Sequence, residues 1–223
     1  MIRRDYILRM IEEFMQALSR IRSLKQEQDW RAAGAELDLE FKKLVGSGPQ
    51  SVAALSDTEL LARLIQGEST HIVVEKTFML VSLLKEAGDV SMVEGRTQEG
   101  QASYLKGLRL LVQALGSEEA YDCPVFVPKV EMFVNALQDV SLPLETQALL
   151  MQHYERMGEF ARAEDQLFAM LDSAANDHRI AEFGITFYER LRAHSDAQLT
   201  AGGLPRPEIE SGVTELLKRL RIT

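Results

Sequence analysis

From Ile7 onward the apolar residues of this chain fall three or four positions apart. Ile7, Met10, Ile11, Phe14, Leu18, Ile21 and Leu24 form the first series, and this spacing gathers side chains on one face of an α-helix but scatters them over both faces of a strand. The series predicts a helix over about residues 2–26. Leu8 and Met15 widen its stripe, so that more than one side of the helix needs cover, from its chain neighbours or from a second copy of the protein. Trp30, Ala33, Leu37, Phe41 and Leu44 repeat the spacing up to the breaker GSGPQ. Ser56 and Asp57 then read as caps of a short helix through Leu60, Leu61, Leu64 and Ile65 that Gly67 closes.

Long helical runs follow from about Thr70 (HIVVEKTFMLVSLLKEAGDVSMVEG) and over QEGQASYLKGLRLLVQALG. Two prolines forbid a helix interior across residues 124–128, with a helix expected after them. Helices are also expected at about 143–157 and 160–173, over AEFGITFYERLRAH, and over EIESGVTELLKRL beyond a TAGGLPRP loop. No alternating run of strand length appears. The expectation is an all-α fold of about nine to eleven helices in a single domain, residues 1–223.

The small residues and aromatics carry a finer pattern. In YERMGEFARAEDQLFAML, residues 154–171, Leu150 and Met151 precede Tyr154, Gly158 marks a turn, and Phe160, Ala163, Leu167 and Leu171 follow. This resembles a tetratricopeptide repeat, in which small residues let two helices of a hairpin approach while large ones fill the space beside them. Met151 and Met170 stand where that pattern has small residues. The same frame falls on 81–114, with Ala87, Gly88, Gly95, Gly100, Tyr104, Gly107 and Leu108, although Ser91 replaces an aromatic. It also falls on 14–47, with Ile21, Leu24, Trp30, Ala33 and Leu37, although Gln28 takes the place of the turn glycine. Counting the third frame as 144–177, the starts lie about 67 and 63 residues apart, near twice the usual 34-residue period. Antiparallel hairpins stacked as a superhelix are therefore expected, with capping helices over about 178–223.

The whole chain also resembles an uncharacterised bacterial family of tetratricopeptide-like proteins, on the stretches IRRDYILRMIEEF, EAGDVSMVEG, YLKGLRLL, FYERL and AGGLPRPEIESG. The resemblance implies an all-helical fold. It implies no activity and supplies no functional residue.

Composition narrows the function classes. A net charge of −9 and a pI near 5.1 oppose nucleic-acid binding, which needs clustered Lys and Arg. The lone Cys123 cannot form an internal disulfide and reads as a free buried thiol. The N-terminus begins basic, but Arg9, Glu12 and Glu13 interrupt the apolar run a secretion signal requires. No stretch approaches the roughly 18 uninterrupted apolar residues of a membrane span. A cytoplasmic protein is expected.

Catalytic signatures are missing. GSGPQS lacks the Lys and Ser/Thr of a phosphate loop, and Ser47, Ser51 and Thr58 read as loop residues without a base. Glu68, His71 and Glu75 share a helix face, yet two carboxylates and a histidine are common on an acidic surface, so no metal or cofactor is expected. His153, His178 and His194 lack a nearby ligand set. The cations of LLKRLRIT suit the end of a helix, where they complement its dipole.

Stacked hairpins would leave a groove lined by the first helix of each unit. Its polar residues would be Ser19, Arg22, Lys25 and Gln26, then Ser82, Lys85 and Asp89, then Glu145, Gln152, Glu155 and Arg156. The functional expectation is a non-catalytic scaffold for protein or peptide partners that self-associates through its first helix. The alternative is a regulator or sensor taking a peptide or small ligand in that groove.

Overall fold

A computed structural model describes the backbone of residues 2–65, 70–117, 123–174 and 177–221, and the side chains of 6–65, 72–117, 123–174 and 177–220. Twelve helices and no strand lie among the described residues. They fall into two compact units, 1–141 and 142–223, where the sequence reads as one unbroken run of helices.

The first unit holds α1 (Ile2–Gln26), α2 (Trp30–Val45), α3 (Pro49–Ala54), α4 (Asp57–Ile65), α5 (Thr70–Val93), α6 (Thr97–Leu115) and α7 (Val130–Ala136). Helix α5 is apolar nearly all round, and such a helix is stable only when covered on every side. Accordingly α1, α2, α3, α4 and α6 all pack against it, burying Phe78, Met79, Leu80, Val81, Leu83 and Leu84 at its middle. Phe14, Leu18 and Ile21 of α1 and Leu37 and Phe41 of α2 close the core on one side, and Leu108, Leu110 and Leu111 of α6 close it on another.

The second unit holds α8 (Leu144–Arg156), α9 (Phe160–Ser173), α10 (His178–Leu191), α11 (Asp196–Ala201) and α12 (Arg206–Arg221). Helix α10 packs on both α9 and α12. Close approach is open to it because residue 184 is glycine: a Cβ there would stand 2.6 Å from Leu216 and 2.8 Å from Leu167. The backbone N–H of Ala161, free at the start of α9, donates to the Gly202 carbonyl at 3.0 Å.

Three helix pairs, α1–α2, α5–α6 and α8–α9, close with the same turn. Gln28, Gly95 and Gly158 adopt φ of 61°, 77° and 74°. Each is followed by a residue whose N–H reaches back five positions, Asp29 to Leu24, Arg96 to Ser91 and Glu159 to Tyr154, at 2.8–2.9 Å. These bonds satisfy carbonyls that a helix end leaves open. The carbonyls of Asp29, Arg96 and Glu159 then accept from Ala33, Gly100 and Ala163, so the next helix starts at the same step. Those three small residues are buried where the helices cross.

Gln28 fills a left-handed position that suits glycine, and an L side chain there costs about 1–2 kcal/mol. Gly158→Ala should therefore cost about 1–2 kcal/mol by urea unfolding, since nothing lies within 4 Å of the added Cβ and the effect is backbone strain alone. Gln28→Gly should shift stability the other way. Equal midpoints for Gly158→Ala and wild type would show that the turn is not under this constraint.

Two short helices depart from the sequence expectation. GSGPQS is not a loop throughout: Pro49 supplies a preset φ at the first position of α3, and Ser51 lies within that helix. Part of the TAGGLPRP segment is the end of α11, which a capping box between Ser195 and Gln198 starts. Thr58, expected in a loop, is in α4, where Ser56 and Glu59 form a second capping box.

Candidate functional site

Helical geometry places Leu8, Ile11, Met15, Ser19, Arg22 and Gln26 along one face of α1, away from the Phe14, Ala17 and Ile21 that enter the core. The face changes character along its length. Its first half is apolar and open, with Leu8 51% and Met15 49% exposed and Ile11 partly so. Its second half is polar. Beside it lie a cavity of about 420 Å³ lined by Met15, Ser19, Arg22 and Phe126 among others, and a shallower one of about 350 Å³ lined by Arg22, Lys25, Trp30 and Lys85 among others. Phe126 comes to α1 from the segment before α7 and meets Phe14 edge-on at 5.3 Å.

Four of the eleven groove residues anticipated from sequence, Arg22, Lys25, Lys85 and Asp89, join in one ion-pair cluster in this polar half. Arg22 Nε donates to Glu86 Oε1 at 2.8 Å, Lys25 Nζ donates to both Glu86 and Asp89, and Lys85 Nζ donates to Asp89 Oδ2 at 2.6 Å. Tyr104 of α6 completes the set, its hydroxyl donating to Asp89 Oδ1 at 2.9 Å. Burial pushes the Asp89 carboxyl upward, but hydrogen bonds and charge from Lys25 and Lys85 outweigh it and hold the group below the usual carboxylate range. Burial first, and Asp89 next, push the Tyr104 phenol well above its ordinary value and keep it a donor. The cluster ties α1 to α5 and leaves the Arg22 guanidinium partly exposed at the surface.

Glu86, with 2% of its side chain exposed, is the member that sequence reasoning missed. Its only signal is a Lys-Glu pair, with Asp three residues on, interrupting an otherwise apolar helix at LLKEAGD. Ser82, expected in the groove, is instead fully buried, its hydroxyl donating to the carbonyls of Phe78 at 3.0 Å and Phe126 at 3.4 Å. That correction has a simple cause: α5 has no solvent face at this level, so the register of one side cannot point outward.

The remaining anticipated residues belong to the second unit. Glu155 accepts from Arg190 Nε and Nη2, at 2.7 and 2.8 Å, and Arg156 Nε donates to the Gln152 carbonyl at 3.2 Å. Tyr154 between them is buried, with Arg162 stacked 4.0 Å from its ring centre.

Other singled-out residues separate. Glu68 and the His71 side chain lie outside the described residues, and no group of three or more His, Cys, Asp or Glu side chains that could hold a metal is found among those described. Cys123 is exposed rather than buried, next to Pro124 in the non-helical stretch 123–129 that leads into α7. His194 lies against the Phe160 ring at 5.1 Å, and His153 is 5.6 Å from Tyr154. No described helix is long and apolar enough to cross a membrane.

The chain belongs to a family described as "Family of unknown function (DUF6483)", whose family model matches residues 1–221. No curated protein and no solved structure matches it.

Proposed function

We propose, on geometry alone since the family's function is unknown, that this chain is a non-catalytic tetratricopeptide-like scaffold that pairs with a second copy of itself through the apolar half of α1. The carrying observation is the exposed stripe Leu8, Ile11 and Met15 on a helix whose Phe14, Ala17, Leu18 and Ile21 side is already packed. The recurrent turn at Gln28, Gly95 and Gly158 supports the repeat reading. A lone thiol at Cys123 suits the reducing bacterial cytoplasm in which the reading places the protein.

The stripe is self-complementary. In an antiparallel two-fold pair centred between Ile11 and Glu12, Leu8 of one copy meets Met15 of the other, which is the isologous arrangement a closed dimer requires. Arg9, Glu12 and Glu13 share one flank of the helix, and the two-fold brings that flank against itself with Arg9 facing the copy's Glu12 and Glu13. None of the three forms an ion pair with a described residue of its own chain. Rim charges of this kind select orientation more than they add affinity.

Charge reversal tests both partner and orientation. Arg9→Glu should weaken dimerisation roughly tenfold or more by analytical ultracentrifugation at low salt, and adding Glu13→Arg in the same chain should recover it, because each copy then carries the complement of the other. An Arg9→Glu variant that associates as the wild type does would remove the antiparallel pairing.

A further inference from the structure

Several hydroxyls on the helices of this protein bond back one turn. Thr77 donates to the Val73 carbonyl at 2.7 Å, Ser82 to Phe78 at 3.0 Å and, on a more exposed helix, Thr214 to Glu210 at 2.8 Å. Ser91 of α5 and Ser103 of α6 do otherwise. They are only 6% and 4% exposed, yet neither hydroxyl forms a hydrogen bond with any described residue. Both line one cavity of about 290 Å³ among α2, α3, α5 and α6.

Leu37, Ala87, Val90 and Ala102 give that cavity apolar walls, and Gln50, Arg96, Gln98 and Glu99 complete its lining on the polar side. The two hydroxyls are not sealed inside the protein, so both are available to hydrogen-bond a group seated in the cavity. The mouth indicates the charge of that group. Arg96 there is already paired with Glu94 and Glu99, and Glu99 also accepts from Gln50 at 2.9 Å. The lining's one cation and one carboxylate, Arg96 and Glu99, are thus paired with each other, and the lining itself carries no net charge.

We propose that this cavity is a binding site for a small neutral organic molecule with a compact apolar body and one hydroxyl or carbonyl, recognised by Ser91 and Ser103. The size is at the lower end of ligand pockets, which fits an aromatic or branched body of about ten carbon atoms. The site is separate from the exposed face of α1 and does not depend on self-association.

The test uses 2-naphthol and naphthalene, which differ by the hydroxyl alone, titrated into the full chain and followed by amide chemical shifts. The wild type should bind 2-naphthol about tenfold or more tightly than naphthalene, with shifts confined to residues around Ser91 and Ser103. A Ser91→Ala/Ser103→Ala double variant, folded by circular dichroism, should bind both probes alike. Ala102→Leu, which fills the space, should abolish both. Failure of 2-naphthol to bind below about 1 mM, or a hydroxyl preference that survives the double variant, overturns the assignment.

Discussion

Asp57→Ala should lower the stability of the first unit by about 3 kcal/mol, because it removes the carboxylate that pairs the enclosed Lys106 and holds the Arg109 guanidinium. Asp57 stands at the start of α4 and fastens it to α6. Its Oδ1 accepts from Lys106 Nζ at 2.7 Å, and its Oδ2 accepts from Arg109 Nε and Nη2 at 3.0 and 2.8 Å. Lys106 is almost wholly enclosed and Arg109 is largely so. Once the carboxylate is gone, Lys106 retains only the Leu55 carbonyl at 2.6 Å. The partial exposure of Arg109 is why the expected cost sits at the lower end of the range for a broken buried pair. Urea unfolding measures it, and a loss under about 0.5 kcal/mol would show the cluster to be screened by solvent.

The same cluster predicts a pH dependence. Burial raises the Asp57 carboxyl, but hydrogen bonds and charge from Lys106 and Arg109 prevail and leave it below its ordinary value, as happens at Asp89. A depressed carboxylate binds fewer protons folded than unfolded, so its stabilisation is complete above the unfolded value of about 3.9 and disappears as pH falls through the lower folded one. Stability of the wild type should therefore drop below about pH 4, and Asp57→Ala should flatten part of that drop.

Tyr154→Ala should destabilise the second unit by about 3–5 kcal/mol. The ring is fully buried at the end of α8, beneath the Arg162 guanidinium, whose Nη2 donates to its hydroxyl at 2.8 Å. Truncation removes a large apolar volume from under the α8–α9 turn and takes away what Arg162 rests on. Tyr154→Phe keeps the volume and loses one hydrogen bond, so about 1 kcal/mol is expected for it. A near-neutral Tyr154→Ala would mean that the repeat frame marks something other than packing.

The helical spacing of Ile7 through Leu24, or of Phe160 through Leu171, is a local signal repeated over several turns, which is why the long helices were legible almost to their ends. Helices α3 and α11 have six residues each, too few for a period to show, and their starts are encoded in single residues, Pro49 and the Ser195–Gln198 pair. Gln28 was legible as a departure from the glycine pattern, but not as a residue that would still take the left-handed turn. The candidate site was half legible. Arg22, Lys25, Lys85 and Asp89 were found by register alone, whereas Glu86 was hidden because burial of a charge is decided by what lies across from it on another helix. Leu18, in the same apolar series as Ile11, is enclosed, so Leu8 and Met15 are the apolar probes of association.

Pairing through α1 stands or falls on the molar mass by light scattering at about 100 μM. About 50 kDa is expected for the wild type, twice the 25.1 kDa chain, and the single-chain mass for a folded Leu8→Lys/Met15→Lys variant. A wild type that stays at 25.1 kDa at that concentration would refute the pairing.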